Sequence, residues 1–260
     1  MKVYIVNAFT SELFGGNPAA VVPLNEWLSE SLMQQIAAQH NLPETAFIIP
    51  EGKNFYIRWF TPLVEVDLCG HATLASAQVY FNHLSYPEKE IIFNSNSGPL
   101  PVSRGQNGKL RMDFPVNHPA PCDPVPEIEK GLHKKPLATF ISKFDYMAVF
   151  EKQQDIEELS PDFSVLGQVR SRGLIVTSPG KDSDFVSRGF FPQSGIDEDP
   201  ATGSAHTVTA PYWAEKLGKN RLTAIQLSSR KGYIDCEMQN DRVWISGFAK
   251  TYLEGNIFIP

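Results

Sequence analysis

Cysteine is scarce: Cys69, Cys122 and Cys236 are the only three in 260 residues. An odd, widely spaced set excludes a disulfide framework and offers no zinc-ligand spacing, and reduced thiols point to the cytoplasm. Basic runs are lacking as well. With 23 Lys and Arg against 29 Asp and Glu, the net charge is −6, so nucleic acid and anionic membrane are not expected partners. No apolar run reaches the roughly 20 residues of a membrane span. The opening Met1–Asn7 alternates like a strand and has no secretory h-region. Signatures of the G-x-G-x-x-G, phosphate-loop, H-E-x-x-H and G-x-S-x-G types are absent, which removes the commonest nucleotide, zinc-hydrolase and serine-hydrolase classes. Ser228 and Lys231 fit an S-x-x-K string, but they fall in a strand-turn segment and read as structural.

Charge is also missing locally, and there the sequence becomes informative. Residues 68–87 and 200–214 contain no Asp, Glu, Lys or Arg. Each follows a short polar motif, Val66-Asp67-Leu68-Cys69-Gly70-His71-Ala72-Thr73 in one case and Asp197-Glu198-Asp199-Pro200-Ala201-Thr202-Gly203-Ser204-Ala205-His206 in the other. A helix uncharged on every face is normally buried. Its N-terminus, with free N–H groups and a positive dipole end, then becomes an internal anion site.

The two motifs lie in longer matching halves. Gly203 stands 133 residues after Gly70, Arg188 stands 130 after Arg58, and the strand-like segments at 109–112 and 242–245 match at 133 again. The spacing indicates a duplicated domain, not a solenoid. The expected fold is α+β: two similar lobes, each a mixed curled sheet around a central apolar helix, with a cleft between them. The lobes are expected at 1–116, joined by the tail 250–260, and at 117–249. Between them Pro115, Pro119, Pro121, Pro124 and Pro126 predict an extended linker. In the first lobe strands are expected at 3–9, 19–22, 45–49, 55–60, 90–93, 100–103 and 110–114. The last two are joined by a hairpin at Asn107-Gly108. Helices are expected from Ser29, as cap, to His40 and over 70–81. The second lobe should carry strands at 185–190, 225–227, 233–238 and 243–248 and a helix over 202–217 that Pro211 kinks or ends early.

Several residues carry two readings. His71, in the first turn of an apolar helix, is either a core histidine bonded to a carbonyl or a proton carrier at an anion-binding terminus. Asp199-Pro200 is an ordinary helix start, with Asp as N-cap and Pro at N1. One of the acids at 197–199 could instead hold a substrate ammonium. Glu44 opens an apolar strand after Pro43; it is either solvated at a strand edge or turned inward as an acid–base group. Cys69 is matched by Thr202 in the second half, so a two-thiol mechanism is broken.

Asn7-Ala8-Phe9-Thr10, Phe14-Gly15-Gly16-Asn17-Pro18-Ala19, Glu44-Thr45-Ala46-Phe47, Cys69-Gly70-His71-Ala72-Thr73 and Asp199-Pro200-Ala201-Thr202-Gly203-Ser204-Ala205 together resemble the phenazine-biosynthesis PhzF-like family, which has the diaminopimelate-epimerase fold. The resemblance implies a cytoplasmic, homodimeric isomerase that needs neither cofactor nor metal. Such an enzyme moves a proton between carbons of a small, cyclic, amino acid-like carboxylate. It implies Glu44 as the proton-shuttling carboxylate. Gly70, His71, Ala72, Thr73, Asp199, Gly203, Ser204 and Ala205 are then the substrate-binding positions. The alternatives are a racemase or epimerase of a small amino acid, with Cys69 as second base, and a non-catalytic carboxylate-binding protein.

Overall fold

The computed structural model describes residues 1–259, with the side chain of Gln106 excepted; Pro260, the end of the expected tail, lies outside them. Contacts divide the chain into two compact units, Met1–Asp113 with Ser246–Pro260, and Phe114–Ile245. In the first unit the order is β1 (Lys2–Ala8), β2 (Asn17–Pro23), α1 (Glu30–His40), β3 (Glu44–Glu51), β4 (Asn54–Phe60), β5 (Glu65–Val66), α2 (Gly70–Asn82), β6 (Glu90–Asn94), β7 (Leu100–Arg104) and β8 (Leu110–Pro115). Ser29 caps α1 by accepting from the Leu32 N–H, as its sequence predicts. Asn107 and Gly108 both take positive φ and turn β7 back on β8.

The second unit repeats this order. After β9 (Ala120–Cys122) and α3 (Pro126–Leu132) come β10 (Ala138–Ile141), β11 (Asp145–Val149), α4 (Gln153–Glu157), α5 (Phe163–Leu166), β12 (Gly173–Pro179), β13 (Phe185–Phe191), β14 (Ile196–Asp199), α6 (Gly203–Leu217), β15 (Arg221–Gln226), β16 (Gly232–Gln239) and β17 (Arg242–Gly247). The pairings match one for one. β2 and β3 are parallel, as are β11 and β12; β3 and β4 are antiparallel, as are β12 and β13; the strands flanking each helix, β4 with β6 and β13 with β15, are parallel. The closing strand β18 (Ala249–Asn256) pairs with β1, and β9, inside the proline-rich stretch, pairs with β10.

Period-2 alternation decides what each sheet face covers. Ala20, Val22, Phe47 and Phe60 pack with Met33, Ile36 and Ala37 of α1 on one face. The other face meets α2, which lies against β1, β2, β3 and β18. Leu74, Ala75, Ala77 and Val79 of α2 are fully buried, and each large side chain so buried contributes about 1.5–3 kcal/mol. In the second unit Met147, Val149 and Ile175 face Ala205 and Val208 of α6. Their neighbours Ala148, Phe150, Leu174 and Val176 face the outer core with residues of α3, α4 and α5. The uncharged segments are thus the central helices of two similar α+β units.

Duplication reaches individual bonds. Thr73 and Ser76 donate to the carbonyls of Cys69 and Ala72 at 2.6 and 2.7 Å. Their counterparts 133 residues on, His206 and Thr209, meet the carbonyls of Thr202 and Ala205 at 2.9 and 3.3 Å. Polar side chains in a buried helix are satisfied in this way by their own preceding turn. Arg58 forks onto Glu65 at 2.6 and 2.5 Å, and Arg188 forks onto Glu198 at 2.7 and 2.9 Å. Each fork ties the strand before a central helix to the short strand leading into it.

Two expectations at α6 are corrected. Pro211 neither ends nor shortens the helix, which continues to Leu217. Proline cannot donate to the carbonyl four residues back, and that carbonyl, of Thr207, accepts instead from the backbone N–H of Asn117 at 3.1 Å. Asp199 is not the N-cap. It closes β14, and the cap is Thr202, whose side chain makes no capping bond. A strand held by β13 runs up to Asp199, so the cap falls three residues later, at Thr202. The strand expected at 225–227 is also longer and earlier, as β15. Among the described residues no helix is long and apolar enough to cross a membrane.

The turn from β1 into β2 is fixed by Gly16, at φ 64°, where a Cβ would lie 2.1 Å from the Ala8 carbonyl oxygen. Gly52 has nearly the same φ, 63°, with nothing within 4 Å. Gly52→Ala should therefore cost about 1–2 kcal/mol, the left-handed penalty alone. Gly16→Ala should cost at least about 2 kcal/mol more, because backbone must shift. Urea unfolding of both variants measures the difference, and equal losses would refute the steric account.

Candidate active site

In the first unit the sheet register brings a carboxylate to the N-terminus of α2. Glu44 opens β3 beside Ala19 of parallel β2, and Asn17 lies two residues before Ala19. By strand alternation Asn17, Ala19 and Glu44 share the face that α2 covers. Glu44 is buried, not solvated at a strand edge, and so are Asn17 and His71. Glu44 Oε2 lies 3.1 Å from His71 Nε2. The two atoms are in ionic contact but out of line for a hydrogen bond, and each is buried without a hydrogen-bond partner. Leaving a buried polar atom unbonded costs about 1–3 kcal/mol. Two such atoms stand face to face here.

The other ring nitrogen is occupied. His71 Nδ1 lies 3.2 Å from the Asn17 amide nitrogen and 3.4 Å from Cys69 Sγ. Burial, reinforced by the charge of Glu44, pushes the Cys69 thiol up to about 11, against the opposing pull of His71 and the Ala72 N–H. Cys69 is therefore a thiol at neutral pH. Burial pulls the His71 imidazole down, but the negative charges that Cys69 and Glu44 carry when ionised outweigh it and raise it well above the usual range. With Cys69 protonated, the carboxylate of Glu44 is the charge left to act on the ring.

His71, Ala72 and Thr73 form the first turn of α2 after Gly70, which is half-buried. The N–H groups of such a turn have no acceptor within the helix, while Thr73 turns both its N–H and its hydroxyl to the Cys69 carbonyl. Glu44, Cys69 and His71 also offer three donor atoms within 4.8 Å of one another, a carboxylate–thiol–imidazole set of the kind that suits Zn²⁺.

In the second unit the equivalent terminus is wired differently. The Thr202 hydroxyl donates a short bond to Asp199 Oδ2. Gln226, fully buried at the end of β15, accepts from the Thr202 N–H at 2.7 Å and donates to the Asp199 carbonyl at 2.7 Å and to Thr202 Oγ1 at 3.1 Å. Ser228 donates to the Pro200 carbonyl at 2.7 Å and accepts from the N–H groups of Arg230 and Lys231, so the S-x-x-K string is a turn. Gly203, Ser204 and Ala205 begin α6, with Ser204 half-buried. His206 is buried behind them, its pKa lowered to about 4 by burial, and is a neutral core histidine. Of the three acids at 197–199, Glu198 is spent on Arg188 and Asp199 on Thr202.

Sequence reasoning did not single out Asn17 or Gln226. Both are polar residues on the inward phase of an apolar strand, Asn17 with Ala19 and Val21, Gln226 with Leu222 and Ala224. That phase is the signal that would have found them.

The family model described as phenazine biosynthesis-like protein matches residues 6–255. A protein named an uncharacterized isomerase in Pseudomonas aeruginosa is 44% identical, over 99% of this chain and 98% of its own. A mouse phenazine biosynthesis-like domain-containing protein is 38% identical over 99% of each. Among solved structures, a PhzF-family protein of Enterococcus faecalis superposes with a TM-score of 0.96 at 44% identity, covering 99% of both chains. A protein described as a probable proline racemase from Agrobacterium radiobacter, at 9% identity and a TM-score of 0.64 over 100% of this chain and 93% of its own, shares the fold alone. With the family matched over nearly its whole length, this chain belongs to the phenazine biosynthesis-like PhzC/PhzF family.

Proposed function

We propose that the protein is an isomerase that moves a proton between carbons of a small, cyclic, amino acid-like carboxylate, with Glu44 as the shuttling acid–base group. The observation that carries this reading is the buried Glu44 Oε2, unbonded and 3.1 Å from the equally unbonded His71 Nε2. Hydrogen bonds of a catalytic group are commonly out of line before substrate arrives and tighten afterwards. The names of the relatives, isomerases among them, agree in class.

The chemistry follows from the residues. Glu44 removes a proton from carbon, and the electron pair left behind spreads toward the substrate carboxylate. N–H groups at Gly70–Ala72, and the α6 start at Gly203, Ser204 and Ala205, are assigned to substrate oxygens; one well-placed donor is worth about 3–4 kcal/mol in the transition state. His71 Nε2 orients Glu44 or the substrate. Thr73 supports the turn through the Cys69 carbonyl. Asp199, locked by Thr202, is assigned to a substrate ammonium or hydroxyl. Glu44 then returns the proton to a second carbon, so the transfer balances on one carboxylate and calls on no second base, cofactor or metal.

A two-base racemase or epimerase is the second reading, favoured by the Cys69 thiol beside His71. The high thiol pKa weighs against it: with a pKa of about 11, roughly one Cys69 in ten thousand is thiolate at neutral pH. Thr202 cannot replace it, because its hydroxyl is already given to Asp199.

Four outcomes are expected. Glu44→Gln should keep its circular dichroism and lose roughly 10²–10⁴-fold of the deuterium uptake into candidate cyclic carboxylates in heavy water; unchanged uptake removes Glu44 from the role. Cys69→Ala should retain uptake within a few-fold, whereas a large loss would establish the two-base reading. The thiolate absorbance lost in that variant should titrate near pH 11, and a titration near 8 would contradict the burial argument. Exhaustive dialysis against a chelator should leave uptake unchanged; loss with recovery on Zn²⁺ would instead assign Glu44, Cys69 and His71 to a metal.

A further inference from the structure

We infer that Asn17 is a positioning residue that fixes the tautomer of His71, holding Nδ1 as an acceptor so that the ring proton sits on Nε2 against Glu44. The inference deepens the acid–base reading of Glu44 and rests on it for its functional meaning.

Two groups approach Nδ1, the Asn17 amide nitrogen at 3.2 Å and Cys69 Sγ at 3.4 Å. An amide nitrogen can only donate, and a thiol is a weak donor and a weak acceptor. A proton on Nδ1 would therefore point at a donor and a poor acceptor. A bare Nδ1 accepts from the amide, and in the neutral ring that places the proton on Nε2. Nε2 is 3.1 Å from Glu44 Oε2, so its proton lies beside the carboxylate, out of line with it, and is left for a bound ligand. With the opposite tautomer two lone pairs would face each other across that gap and the approach would be repulsive.

The backbone makes Asn17 fit for the task. It is fully buried at the first position of β2, paired with Ala8 on β1 and followed by Pro18. The preceding turn cannot relax: Gly16 is pressed on the Ala8 carbonyl, the Asn7 side chain donates to the Leu13 carbonyl at 2.7 Å, and the Thr10 N–H donates to the Phe248 carbonyl at 3.1 Å. An amide mounted on so fixed a strand start presents a fixed donor.

The test uses the full chain labelled with ¹⁵N-histidine, with His71 assigned by its loss in His71→Gln. Long-range ¹H–¹⁵N correlation, followed upward in pH until the ring is neutral because His71 is raised well above the usual range, should show His71 Nδ1 as the bare, pyridine-like nitrogen and Nε2 as the protonated one. A proton on Nδ1 of the neutral ring in the wild-type protein overturns the inference without any variant. Asn17→Asp exchanges the donor for an acceptor, so Nδ1 should become protonated and deuterium uptake into substrate should fall about 10²-fold, the scale of a misplaced catalytic group. An unchanged nitrogen pattern in that variant overturns the inference as well. Asn17→Leu, which adds no charge, should lower uptake through kcat more than through KM and serves if the aspartate variant does not fold; a change in KM alone would contradict a positioning role. Failure of the Asn17 variants with uptake still abolished by Glu44→Gln refutes Asn17 and spares the isomerase reading. Uptake that survives Glu44→Gln refutes both, and the tautomer then stands as a structural fact without that function.

Discussion

The site depends on one imidazole ring with its two nitrogens in opposite company. On one side of His71 stand donors, the amide of Asn17 and the thiol of Cys69; on the other stands a carboxylate, Glu44. All four side chains are buried, so the contacts among them weigh heavily on where each proton lies. The register of β2 on β3 brings Glu44 level with Ala19, and the tight turn at Gly16 delivers Asn17 to the same face. The helix that carries His71 has no charged residue with which to reach solvent. Together these features place an unbonded carboxylate inside an apolar layer.

The duplicated architecture has diverged at the place where chemistry is expected. Both central helices keep the same back-bonds four residues apart and the same arginine–glutamate fork on the approach. Their N-termini differ in kind. The start of α2 gathers titratable side chains with unbonded atoms. The start of α6 is a closed network in which Gln226, Thr202 and Asp199 satisfy one another. A fully bonded network rigidifies, whereas a partly bonded one keeps an unmet preference for a ligand. Scaffold contacts have thus been retained at matching positions while the polar end of each helix took its own form.

Much of the architecture was legible in the chain because it follows from periodicity and from the absence of charge. The uncharged runs, the repeat near 133 residues, the Asn-Gly turn and the Ser29 cap all act through near neighbours in sequence. Helix α6 shows where this fails. Local rules say that Pro211 should break a helix and that Asp199 before Pro200 should cap one. The first is overridden by Asn117, far off in sequence, which takes the carbonyl that proline leaves free. The second is overridden by the ladder that keeps Asp199 in a strand. Glu198 likewise read as a possible substrate partner until Arg188 claimed it.

By itself the sequence determined two similar α+β units built around apolar helices, the residue types at their polar starts, and membership of a family recognised by several motifs together. These are properties of spacing and composition, which survive without coordinates. Tertiary structure alone decided that Glu44 turns inward, that its neighbour is the Nε2 of His71, and that Asn17 and Cys69 take the other nitrogen. A strand's register and a ring's orientation are set by contacts between segments tens of residues apart, and no local pattern encodes which of two faces, or which of two nitrogens, a side chain will meet.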